Sequence, residues 1–130
     1  MPLKLVRPED RSRETTQTPG MIRAAGVSTE TTNAEKIWVG HVTLPAGAVS
    51  GVHHHGEAEN AIFIMKGRAR FEFGDQLENA IEAGPGDFVF VPPYVLHREI
   101  NLDPDQPIEE IVSRNTQETL VFNVEWPPKD

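Results

Sequence analysis

From Ile37 onward, apolar and polar positions follow a short rhythm that glycine and proline interrupt at regular intervals. Residues 37–44 (Ile-Trp-Val-Gly-His-Val-Thr-Leu) are rich in strand formers and stop at Pro45 and Gly47, the punctuation of a strand end. A short run over 49–53 follows. Residues 61–66 form a compact apolar run closed by Gly67, and 68–73 alternate charged with apolar side chains. That alternation predicts one wet face and one buried face. Gly74-Asp75 turns the chain into 77–82, and Gly84-Pro85-Gly86-Asp87 is a stronger turn that Asp87 is expected to order. Residues 88–91 stop at Pro92-Pro93, and 95–100, 108–112 and 120–126 supply the last predicted strands. No stretch carries a helical period. Many short strands separated by turn residues predict an all-β sandwich or barrel. Trp38, Phe63, Phe71, Phe73, Phe88 and Phe90 are expected mostly in its core, with Arg68 and Arg70 on the surface.

Residues 1–20 differ. Pro2, Pro8, Pro19 and the run Thr15-Thr16-Gln17-Thr18 offer little to bury. They read as an N-terminal arm, either a free tail or a segment packed across a partner subunit. Residues 21–130 then make one domain, as expected for a chain of 130 residues. The formal charge of −8 argues against nucleic acid, whose phosphates require a basic face. The absence of cysteine removes disulfides and thiolate metal ligands and fits a reducing compartment. The polar N-terminus has no apolar segment of a secretory signal, and no window approaches the roughly 20 apolar residues of a membrane span. A cytoplasmic protein with neither nucleic acid nor membrane as partner is the expectation.

The chemistry lies in the histidines. Three of the five stand together at His53, His54 and His55, and a fourth, His97, lies in Pro92-Pro93-Tyr94-Val95-Leu96-His97. Side chains two apart on a strand share a face, so His53 and His55 can grip one ion while His54 points away. Imidazole is the commonest protein ligand for transition metals, and His97 on another strand would complete a three-histidine face. His41 reads as a barrel histidine rather than a ligand, and Tyr94 as a residue of the pocket mouth.

Gly47 through His55, continued by Glu59 or Asn60 and Gly67, resembles the first cupin motif, G(X)5HXH(X)3,4E(X)6G. Gly86 through Asn101 resembles the second, G(X)5PXG(X)2H(X)3N. The chain departs from the pattern twice. Tyr94 stands where the family has glycine. The carboxylate position is ambiguous: counting from His55 reaches Glu59, whereas counting back from Gly67 reaches Asn60. A slip of one residue moves a side chain to the opposite face of a strand. Asn60 shares parity with Ile62 and Ile64 and is favoured as the inward residue, while a β-bulge before Ala61 would turn Glu59 inward instead.

The resemblance implies a single-domain cupin barrel (a double-stranded β-helix, or jelly roll) of the small, uncharacterised, sugar-epimerase-like bacterial kind. It implies a divalent transition metal (Fe, Mn, Ni, Cu or Zn) held by His53, His55, Asn60 and His97, with Glu59 as proton-transfer residue. The expected function is a small metal-dependent enzyme of dioxygenase, isomerase or lyase type acting on a small oxygenated organic acid or sugar. A non-catalytic barrel that binds or senses a small molecule is the alternative. Uncovered sheet edges and an apolar outer face also predict a homodimer.

Overall fold

The computed structural model describes residues 2–117 and 121–128. Its elements in chain order are β1 (Ile22–Val27), α1 (Thr29–Thr32), β2 (Trp38–Leu44), β3 (His53–His54), β4 (Asn60–Lys66), β5 (Ala69–Phe73), β6 (Asn79–Ala83), β7 (Phe88–Val91), β8 (His97–Asn101), β9 (Ile108–Arg114) and β10 (Phe122–Asn123). The strands form two antiparallel five-stranded sheets, ordered β1-β2-β9-β4-β7 and β10-β3-β8-β5-β6. Every predicted strand has a counterpart, although the run over 49–53 reduces to His53 and His54, with Val49 bridging Ile100. Of the predicted strand over 120–126, Leu120 lies outside the described residues.

Alternation sets the two faces. Trp38, Gly40, Val42 and Leu44 of β2 point inward, as do Ile108, Glu110, Val112 and Arg114 of β9 and Asn60, Ile62 and Ile64 of β4. Leu44, Ile64, Ile108 and Val42 are fully buried. Each stabilises the fold by roughly 1.5–3 kcal/mol relative to an exposed side chain. At Gly67 (φ +96°) the chain passes so near β9 that a Cβ would lie 2.9 Å from the Ile108 Cα, so that position admits glycine alone.

The structure departs from the sequence reading at three places. A strand, β1, occupies 22–27, where no strand is expected, and pairs with β2 along its length. A single helical turn, α1, follows it, too short to show a period. Ser28 and Thr31 close it reciprocally: the Thr31 N–H donates to the Ser28 hydroxyl and the Ser28 N–H to the Thr31 hydroxyl. Finally, Phe88 and Phe90 are 77% and 59% exposed, on the outer face of β7, while Val89 and Val91 take the inner positions.

The segment before β1 lies along the barrel. Ser12 bridges Ala25, and Gln17 exchanges two hydrogen bonds with the Arg23 backbone, at 2.8 and 3.0 Å. Asp87 orders its turn by accepting the Gly84 N–H at 2.8 Å. Tyr94 itself adopts the left-handed conformation (φ +63°) that glycine would supply, and its N–H donates to the Gly56 carbonyl at 2.8 Å. Arg70 and Arg98 both pair with Glu72, at 3.2 and 2.8 Å, on the outer face of β5 and β8.

Candidate metal centre

Strand pairing brings the histidines together. His53 on β3 stands directly opposite His97 on β8. His55, two residues beyond His53, returns to the same inward face. The three rings are buried. Their centroids are 4.3 Å (His53–His97), 5.0 Å (His53–His55) and 5.2 Å (His55–His97) apart. One nitrogen from each ring lies within 4.8 Å of the others, a spacing that one cation between them would bridge. His54 faces the other way and stacks on Phe122 at 4.9 Å. His41 lies outside the chamber, 3.6 Å from Glu109.

Backbone carbonyls orient the rings. His53 Nδ1 is 2.9 Å from the Gly51 carbonyl, and His97 Nδ1 is 2.9 Å from the Val95 carbonyl. A carbonyl only accepts, so both Nδ1 atoms carry the proton and each neutral ring keeps a lone pair on Nε2. This is the outer hydrogen bond that sets the tautomer of a metal-binding histidine. Burial is the main cause that holds both rings uncharged. It lowers His97 to about 4 and His53 well below its ordinary value, with His97, His55 and Arg23 pushing His53 further down. The imidazoles are therefore ready ligands at neutral pH, with no proton to displace.

Asn60, the first residue of β4, shares this small chamber with the three histidines. It is 1% exposed, and neither its amide oxygen nor its nitrogen finds a hydrogen-bond partner among the described residues. A buried amide left this way costs roughly 1–3 kcal/mol, and a cation accepted by its oxygen would relieve part of that. We predict that Asn60→Leu raises the stability of the metal-free protein by about 1 kcal/mol. Its metal affinity should fall about tenfold, within the range that supporting groups of a metal site contribute. Chemical denaturation and metal titration check the two halves. Glu59 does not join the cluster. Its side chain is exposed, on the opposite parity to Asn60, and its N–H donates to the Asn115 side chain at 3.1 Å. No bulge interrupts the pairing of β4 between Asn60 and Phe63, so nothing rotates Glu59 inward.

Three charged residues of the chamber have no counterpart in the sequence reading. Glu99 on β8 and Glu110 on β9 are 2% and 1% exposed. Desolvation pushes Glu99 up to about 7 and Glu110 well above its ordinary range. Burial is the first cause for Glu110, and the neighbouring Glu99 charge raises it further. Arg23 on β1 faces them. Its guanidinium donates to the Thr18 hydroxyl at 2.6 Å and reaches His53 Nε2 at 3.5 Å. Burial lowers it to about 10, and Glu110 and Glu99 oppose the shift, so it stays charged at neutral pH. Parity was the available signal: Glu99 lies two residues from His97, and Glu110 alternates with Ile108 and Val112.

A family model described as Cupin domain matches residues 40–112, from β2 through β9. Among solved structures, the polyketide cyclase RemF from Streptomyces resistomycificus is similar over 95% of this chain and 86% of its own, with a TM-score of 0.75 and 21% identity. An uncharacterized conserved protein with a double-stranded beta-helix domain from Klebsiella pneumoniae is similar over 85% and 90%, with a TM-score of 0.68 and 16% identity. Oxalate decarboxylase of Bacillus subtilis, described for its Mn(II) centers, is similar over 85% of this chain and 30% of its own, with a TM-score of 0.72 and 18% identity. Likeness at these identities establishes the fold, a double-stranded β-helix. No curated protein matches the chain. No helix among the described residues is long and apolar enough to cross a membrane.

Proposed function

This chain belongs to the cupin family, and on that premise we propose that it is a small metal-dependent enzyme acting on a small oxygenated organic molecule, by a dioxygenase, isomerase or lyase type of reaction. The observation that carries the reading is the convergence of three buried imidazoles on one point beside an unpartnered amide. A divalent transition metal (Fe, Mn, Ni, Cu or Zn) held there would supply a Lewis acid with open coordination positions. Two solved structures of the same fold support the reading: one described for Mn(II) centers, the other an oxalate oxidase in complex with glycolate.

The chain's own residues divide the remaining work. His53 and His97 are held in one tautomer by Gly51 and Val95. Asn60 offers a neutral oxygen, so the centre keeps more positive charge than a carboxylate would leave it. The carboxyl groups that share the chamber are Glu99 and Glu110, and proton transfer at the centre falls to them in preference to the exposed Glu59. Oxygen uptake and product analysis with a panel of catechols, thiols, diketones and sugar acids test the proposal. Turnover lost in His97→Ala supports an enzyme. Tight binding of a panel member without turnover would leave a ligand-binding cupin.

We further propose a cytoplasmic homodimer, with residues 1–20 as an arm on a barrel formed by 21–130. The support for pairing is the outer face of β4 and β7, where Phe88 packs on Phe63 at 4.8 Å while Phe88, Phe90 and Met65 stay 77%, 59% and 50% exposed. Exposed rings grouped in this way mark an interaction surface. Light scattering at micromolar concentration is expected to give a dimer, and Phe88→Glu a monomer with unchanged circular dichroism. A monomeric wild-type protein would refute the pairing.

A further inference from the structure

The chamber between the histidines has a volume of only about 20 Å³. A cavity needs roughly 10–15 Å³ to admit one water molecule, so this space takes an ion and little else. An organic substrate must place its body elsewhere. Next to the chamber, between the two sheets on the side of β6 and β7, lies a larger cleft of about 220 Å³. Phe71, Phe73, Ile81, Val89 and Val95 form its walls, and His97 is the one polar side chain among the described residues that line it. His97 also lines the chamber and therefore stands where the two spaces meet. Phe73 is its register partner across β5 and β8.

We propose that this cleft holds the body of the substrate, and that the substrate is a flat, ring-bearing molecule of one or two fused rings, with its oxygen atoms at the His97 end, and not a polyol. The proposal rests on the metal-centre reading above and names the substrate class for it. Size and chemistry both point this way. An apolar cavity of about 150 Å³ takes up benzene, so this cleft admits a ring or a fused pair. Phenylalanine rings favour offset or edge contacts with another ring. A sugar would bury several hydroxyls against valine and phenylalanine, where they lose water and gain no partner.

Calorimetry on the full-length protein tests this, with 2-naphthol and gluconate as probes, before and after chelation. Saturable binding of 2-naphthol in both states is expected, tighter than that of gluconate. Ile81→Trp and Val95→Trp, which fill the cleft from two sides, should each weaken 2-naphthol at least about tenfold, because small-molecule sites typically bury most of their ligand's surface. Thermal unfolding shows which variants are folded, and the metal content of Ile81→Trp should match wild type. The proposal is overturned if 2-naphthol does not bind, if a folded variant binds it as wild type does, or if gluconate binds more tightly. A protein that takes up no metal yet binds 2-naphthol in the cleft upholds the cleft and overturns the catalytic reading.

Discussion

Replacing His97 with alanine is expected to lower the affinity for Mn(II) and Zn(II) by more than about 100-fold, beyond the roughly 10–100-fold that outer hydrogen-bonding partners of a metal site contribute. His97 supplies one of three ring nitrogens that lie within 4.8 Å of one another. Without it, the two remaining imidazoles and the Asn60 oxygen make a poor site. Metal-free folding should survive, because the large, fully buried apolar side chains Leu44, Ile64 and Ile108 do not line the chamber. Competition against a chelator of known affinity measures the loss, and His54→Ala serves as the control. His54 points outward and stacks on Phe122, so its removal should leave affinity within about threefold, as befits a surface residue away from the site. Equal losses in both variants would mean that the tract binds metal as a flexible cluster instead of through the inward face.

The second large effect concerns Arg23. Its charge faces two buried carboxyl groups, and Arg23→Met keeps the length of the side chain while removing that charge. At pH 8 the variant should lose about 2 kcal/mol, within the range for leaving a buried polar group uncompensated. At pH 5 the loss should shrink below about 1 kcal/mol. The sign follows from the carboxyls. Glu99 is raised to about 7 and Glu110 well above its ordinary value of 4.5. Groups raised in this way contribute stability that is complete below pH 4.5 and is lost as pH climbs through about 7. Arg23 offsets that loss, so its removal is felt most where the carboxyls ionise. His53 and His97 act oppositely: both are held below 6.5, so the stability they contribute above pH 6.5 falls away as pH drops, toward about 4 for His97. Removing Arg23 also lifts a repulsion on His53, which further reduces the penalty in acid. The guanidinium lies 3.5 Å from His53 Nε2, so the same variant, though less stable, should bind the cation more tightly. A loss independent of pH would show that Arg23 matters through packing alone.

Much of this architecture was legible from spacing. His53, His55 and His97 were readable because a period of two and a motif interval leave little freedom. Parity with Ile62 and Ile64, together with the count back from Gly67, favoured Asn60 over Glu59 as the inward residue. Phe88-Val89-Phe90-Val91 misled for the same physical reason: an unbroken apolar run carries no phase, so it does not say which pair faces in. The valines do, and the rings lie outside. The strand β1 was hidden because Ile22-Arg23-Ala24-Ala25-Gly26-Val27 has weak strand propensity, and its conformation comes from pairing with β2. Glu99 and Glu110 look like solvated positions in sequence. Parity puts both on inward faces, but the Arg23 charge that faces them there comes from a third strand, β1, whose place no local pattern records. Tyr94 shows the converse, since a residue with a side chain adopts the left-handed conformation that the family gives to glycine.

The central claim is that three imidazoles grip one cation at the inner face of β3 and β8. Anomalous diffraction at the metal edge, from crystals of protein purified without chelator or nickel resin and supplied with Mn(II) or Zn(II), tests it most directly. The account predicts one peak at roughly 2.0–2.2 Å from a nitrogen of each of His53, His55 and His97, with the Asn60 oxygen turned toward it. A peak bound instead to His54 or to the surface carboxylates, or no peak at saturating metal, would contradict it.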